Sequence, residues 1–407
     1  MAPTLRRFAG RCPPRGLISL GAARREIVAP NAPPPRGSLP PEGANFPGGG
    51  QAGNCPTLRT LGVASKLCQN GGMKTRFTSL FGLSTPIALA PMALASGGAL
   101  AAACAQAGAL GLVGGGYGEL PWTQKEYTLA SALLLGQPGA KNLGIGFITW
   151  KLDENASALD WVLDQAHKPA AVMLSFGNAL PYAPRIRAAG ARLMLQIQRV
   201  DQARAAVDAG AEVLVAQGGE AGGHGMNALN GRGSMTLVPE LADWLAGHSP
   251  QTLLMAAGGI ADGRTLAAGL LLGAEGALVG SRLWATRESL AAQAAKEQAV
   301  QLSGDHTARS QVFDVLRRKN WPAPYDFRAI RNRLHQQWES RVDVLKAEPE
   351  AARADYDAGV QAGDFSRAHA TAGEAIGLVH DIPAAHDILQ KMDADATACL
   401  QAAPRLA

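Results

Sequence analysis

Leu253-Leu254-Met255-Ala256-Ala257-Gly258-Gly259-Ile260-Ala261-Asp262 passes from an aliphatic run through a glycine pair to an acidic residue, and helical rhythm follows to Leu272. An unbroken apolar run of this length reads as a strand buried on both faces. Gly258-Gly259 ends it, and Asp262 is placed to N-cap the helix. Leu272-Gly273 closes that helix, and Ala277-Leu278-Val279 returns as the next strand, ending in Gly280-Ser281. Strand, turn, helix and strand in this order define a β/α unit of a parallel sheet.

The same grammar extends back along the chain. Strands are expected at Ile87–Ala90 before Pro91-Met92, Leu110–Val113 before Gly114–Gly116, Leu143–Ile148, Ala171–Leu174 before Ser175, Leu193–Ile197, and Val213–Val215. With the two above they make eight. Eight β/α units predict an α/β fold, a (β/α)8 TIM barrel, with a doubly wound open sheet as the alternative. After about residue 300 the strand runs stop. Gln311–Asn320, Arg328–Leu345, Glu350–Ala362 and Arg367–Val379 read as helices. The organisation expected is a 1–72 leader, a 73–300 barrel and a 301–407 C-terminal helical appendage that covers the barrel mouth.

In such a barrel chemistry belongs at the C-terminal ends of the strands. The sixth strand runs into Ala216-Gln217-Gly218-Gly219-Glu220-Ala221-Gly222-Gly223-His224-Gly225. Four glycines in six positions exclude a regular helix and let a ligand lie against backbone. They carry one imidazole, His224, suited to proton transfer near neutral pH. Gly146, Ser175, Gln196 and Gln198 fall at the same end. So do Gly258-Gly259 and Gly280-Ser281, glycine pairs after the last two strands. Bare N–H groups there predict a phosphate site, for a phosphorylated substrate or a phosphate-bearing cofactor.

Composition excludes other classes. The 407 residues are 47% hydrophobic, yet no apolar run reaches the length of a membrane span. The net charge of +5 is uneven: residues 1–72 hold nine of 38 Lys/Arg and two of 33 Asp/Glu, so the leader is +7 and the remainder −2. A nucleic-acid partner needs a basic face on the fold itself, and none is indicated. The five cysteines (Cys12, Cys55, Cys68, Cys104, Cys399) form no metal-ligand spacing and indicate a reducing compartment. The other seven histidines lack partners at useful spacing, so no metal is expected. Residues 1–72 carry 11 of 25 prolines and read as disordered. An Arg-rich transit-like segment and a start assigned upstream of Met73 both fit that composition.

Ala90-Pro91-Met92, Leu143-Gly144-Ile145-Gly146-Phe147-Ile148-Thr149-Trp150, the Ala216–Gly225 loop, Ala256–Arg264, Leu272–Arg282 and Ala372–Leu378, in this order, resemble the flavin-dependent nitronate monooxygenases. The resemblance spans about residues 75–390. It implies a TIM barrel holding FMN, with Ala90, Pro91 and Met92 along the flavin and Gln217 and Gly222 in contact with it. Gly259 and Leu278, Val279, Gly280 and Ser281 would cradle its phosphate. Gly146, Gln196, Gly223 and Gly258 complete the expected cofactor set, and His224 falls on the catalytic base. One departure stands out: many bacterial members carry Asn at the position of Gly146.

The activity implied is oxidation of alkyl nitronates, and of nitroalkanes, by O2 to carbonyl compounds and nitrite, with no nicotinamide consumed. An FMN-dependent NAD(P)H reductase of quinones or enoyl thioesters is the alternative, and a non-catalytic FMN- or phosphate-binding protein a third. A cytoplasmic location is expected, and a homodimer is left open.

Overall fold

A computed structural model describes residues 73–403; the expected leader lies outside the described residues. Eight parallel strands close into a barrel: β1 (Ile87–Leu89), β2 (Gly111–Gly116), β3 (Leu143–Ile148), β4 (Ala171–Ser175), β5 (Arg192–Ile197), β6 (Val213–Gln217), β8 (Leu253–Ala257) and β9 (Gly276–Val279). β9 returns to β1, pairing Ile87 with Ala277, and a bridge from Ala88 to Leu110 joins β1 to the start of β2. The expected TIM barrel is the observed fold.

Why these residues form a barrel is visible in where their side chains go. Ala88, Leu110, Leu112, Met173, Met194, Val213, Val215, Met255 and Leu278 make one buried cluster. The neighbours of alternate sign, such as Ile87, Leu89, Ile145 and Leu214, pack with the surrounding helices. Both faces of each strand are therefore covered, which is what the continuous apolar runs require. A short helix, Arg76–Phe81, sends Phe77 and Phe81 into the strand-derived cluster; Thr75 caps it through the Thr78 N–H. Each such aromatic contributes about 1.5–3 kcal/mol on burial.

The tail is largely helical but departs from expectation at three points. First, strands do not end near residue 300. β10 (Thr307–Ser310) and β11 (Tyr325–Ile330) form a second, antiparallel sheet with β7 (Gly223–Met226), in the order β10-β11-β7. The helix expected over Arg328–Leu345 is thus a strand to Ile330 followed by helices Arg333–Trp338 and Val342–Ala347. Tyr325-Asp326-Phe327-Arg328-Ala329-Ile330 places apolar residues at alternate positions, with Phe327 and Ala329 buried. That period of two belongs to a strand.

Second, Gln311–Asn320 is helical only over Val312–Leu316. Arg367–Val379 is not a helix either, apart from a turn at Glu374–Leu378. Its backbone groups find partners elsewhere. Asn332 donates to the Phe365 and Ala368 carbonyls, the Ile330 N–H donates to Ala370, and the Gly373 N–H donates to Ser281 Oγ. Such tertiary bonds replace the helical ladder.

Third, Ala385–Ala402 is a long helix that was not anticipated. Ala385, Ile388, Leu389, Met392, Ala396 and Leu400 form its buried stripe, packed on Gly263–Leu271 and Gly98–Gln106. Among the described residues no helix is long and apolar enough to cross a membrane.

Candidate active site

A cavity of about 400 Å³ opens at the C-terminal ends of the barrel strands. A larger groove of about 960 Å³ lies at the opposite end, around Arg76, Glu212, Thr252 and Glu275. We assign chemistry to the smaller cavity because it gathers the buried polar groups, whereas the groove is shallow.

Of the residues expected at the site, Ala90, Pro91, Met92, Gly146, Gln196, Gln217, Gly222, Gly223, His224, Gly258, Gly259, Leu278, Gly280 and Ser281 all line this cavity. Val279 does not: it is fully buried among the helix-facing residues, and its carbonyl accepts from the Ala90 N–H. Gly146 has a packing role as well, since a Cβ there would run into the Pro91 ring. Gly259 has φ +76°, with nothing closer than 3.8 Å to where a Cβ would sit. Positive φ with only ordinary contacts at the Cβ position suits a backbone cradle.

His224 is not in an open loop. It lies in β7, opposite Phe327 of β11, with its side chain 7% exposed. Its ring stacks on Trp321 at 3.4 Å between centroids and 13° between planes, and its Nε2 is 2.9 Å from Asp314 Oδ1. Burial, aided by Arg317 and Arg309, holds the imidazole well below its ordinary pKa, while burial pushes the Asp314 carboxyl up to about 7. With Asp314 ionised, Nε2–H donates to the carboxylate. The lone pair is then on Nδ1, which has no hydrogen-bond partner among the described residues.

The loop before β7 is fixed from both sides. On the barrel side, Gln196 and Gln198 each donate to Gln217 Oε1 at 3.0 Å, and Gln217 donates to the His224 carbonyl at 3.1 Å. Glu220 accepts from Ser234 N–H and Oγ, so its charge sits at the start of helix Ser234–His248. On the tail side, Arg309 of β10 donates to the carbonyls of Gly219, Ala221, Gly223 and Asp326. Arg328 of β11 also donates to Gly219 and pairs with Glu374 at 2.9 Å. Gly222 meets the tail directly: a Cβ there would lie 2.6 Å from the Ala372 carbonyl carbon and the Gly373 nitrogen.

Arg309→Met is therefore expected to lower stability by about 3 kcal/mol or more, since several buried carbonyls lose a charged donor. Protease cutting within Gly218–Gly223 should accelerate in parallel. Denaturant unfolding and limited proteolysis measure both; a variant as stable and as resistant as the parent would refute the clamp.

Sequence reasoning missed Asp314, Arg317, Trp321 and Phe327. His369 bonds through Nδ1 to the Tyr356 hydroxyl at 2.7 Å, is pushed down to about 3 by burial, and also lines the cavity. Among the described residues no group of three or more His, Cys, Asp and Glu is arranged for a metal ion.

The fold, a buried His–Asp pair and a glycine-lined mouth define a barrel with an enzyme-like site, and comparisons with known proteins give the family. A profile described as nitronate monooxygenase matches residues 152–395. The nitronate monooxygenase npaC of Metarhizium robertsii is 34% identical over 346 residues, covering 76% of this chain and 90% of the relative. The nitronate monooxygenase of Neurospora crassa is 30% identical over 341 residues, covering 75% and 88%. A solved nitroalkane oxidase from Streptomyces ansochromogenes superposes with a TM-score of 0.66 at 25% identity, covering 80% of this chain and 99% of that one. FabK from Thermotoga maritima shares the fold, with a TM-score of 0.68 at 24% identity and coverage of 82% and 100%. The chain belongs to the nitronate monooxygenase family.

Proposed function

We propose that the protein oxidises alkyl nitronates, and the nitroalkanes that give rise to them, with O2 to carbonyl compounds and nitrite, using FMN. The observation that carries this reading is His224, held by Asp314 at 2.9 Å and lining the same cavity as the glycine cradle. The residues present fit the cofactor. Gly259 and Gly280 line the cavity without side chains where a phosphate would lie, and Ala90, Pro91 and Met92 form an apolar wall beside them. When bound, FMN supplies the electron transfer to O2 that no side chain here can perform.

The chain's own residues handle the proton and the environment. Asp314 holds Nε2–H, leaving Nδ1 of His224 to take the α-proton of a neutral nitroalkane. Gln217 fixes the backbone that carries His224. Trp321 and Phe327 cover the ring and exclude water.

The test is aerobic turnover of propyl-2-nitronate and nitroethane by the FMN-loaded chain, following nitrite and NAD(P)H together. Nitrite release without NAD(P)H loss is expected. Rapid NAD(P)H oxidation with negligible nitrite would replace this reading with the reductase one.

A further inference from the structure

We propose that Arg317 binds the negative charge of the substrate, so that the site prefers a preformed nitronate anion to the corresponding neutral nitroalkane. This rests on the functional reading above. Arg317 lines the cavity and its side chain is 13% exposed. Its Nη1 is buried without a hydrogen-bond partner among the described residues. The nearest carboxylate oxygen, Asp314 Oδ1, is 4.0 Å away and already engaged with His224 Nε2. Phe327 supports the guanidinium from one face, with Cζ 4.7 Å from the ring centroid, and the Tyr117 hydroxyl lies beside it.

The other buried arginines nearby are differently placed. Both Nη groups of Arg309 donate to backbone carbonyls, and Arg328 pairs with Glu374. Arg282 pairs with Asp381. A permanently charged, planar donor with one nitrogen unpartnered beside a cavity is suited to a planar anion with two oxygens, the shape of a nitronate's N–O pair. The Asp314 Oδ2 atom is also without a partner.

Arg317→Met and Arg317→Lys in the FMN-loaded enzyme test the assignment. Arg317→Met should raise KM for propyl-2-nitronate about 10- to 100-fold, but KM for 2-nitropropane only about 3-fold, because a charge-assisted bond is lost in one case and a neutral one in the other. The loss should fall on KM more than on kcat, and Arg317→Lys should recover part of it.

Calorimetry with nitrite supplies a readout that does not depend on turnover: the parent should bind it and Arg317→Met should not. Should both variants lose flavin or unfold, nitrate must still compete with nitronate in the parent, and its failure to do so would overturn the assignment. Equal losses on anionic and neutral substrates would overturn it as well, while leaving the nitrite-releasing activity standing. A parent that releases no nitrite would overturn the functional reading instead, and the calorimetry would still report on Arg317.

Discussion

His224→Gln is expected to lower kcat/KM for nitroethane by about 10²- to 10⁴-fold, the range a positioned general base contributes. The substitution is chosen to leave Asp314 with a partner, since a Gln amide extends as far as Nε2 and can donate to the carboxylate that Nε2–H reaches at 2.9 Å. Removing the partner altogether would leave a buried acid unpaired and confuse a catalytic effect with an unfolding one. The ring's stack on Trp321 is lost, which should lower stability by about 0.5–1.5 kcal/mol, visible as a lower melting temperature in a protein that still retains flavin. Propyl-2-nitronate needs no proton removed. Its kcat/KM should fall about 10-fold or less. Equal losses on the two substrates would show that His224 does not act as a base.

Much of this arrangement was legible in the sequence because the barrel repeats one signal. Each strand is a short run of aliphatic residues buried on both faces, and all but the first end in glycine or a polar residue at the same rim. Gly258-Gly259-Ile260-Ala261-Asp262 held to the detail: Asp262 caps its helix by accepting from the Thr265 N–H. The signal failed where structure depends on distant partners. Gly223-His224-Gly225-Met226 has almost no intrinsic strand preference and is a strand only because β11 pairs with it.

Asp314 sits 90 residues from His224 in Val312-Phe313-Asp314-Val315-Leu316, where it looks like an ordinary helical acid. Nothing local marks it. Two features did leave a readable trace: the alternation in Tyr325–Ile330, and the recurrence of apolar residues at helical spacing from Ala385 to Leu400. The glycines of the loop were read as room for a ligand. Gly222 instead makes room for the tail, whose Ala372–Gly373 backbone lies where a Cβ would be.

Asp314→Asn should lower kcat/KM for neutral nitroalkanes about 10³-fold with little change in flavin content, and it should also move the pH profile. In the parent, one added proton disables the base wherever it resides. On the imidazole it fills the lone pair. On Asp314, the carboxyl O–H donates to Nε2, which forces the ring proton onto Nδ1, the atom that must accept from substrate. Burial pushes Asp314 up to about 7 and His224 well below 6.5, so the parent should lose activity on nitroalkanes as pH falls through about 7.

An Asn at 314 has no proton to gain, yet its NH2 can donate to Nε2 and favour the wrong tautomer at every pH. Activity is then low but its acid limb should shift to below 6.5, while the nitronate profile stays flat in both proteins. The stability curve carries the same signature. A carboxyl raised from 3.8 to about 7 in the folded state contributes stability at low pH that is lost as pH rises toward 7. Asp314→Asn should flatten that slope between about pH 4 and 7 in denaturant titrations. An unmoved acid limb together with an unchanged slope would mean that Asp314 does not set the protonation of His224.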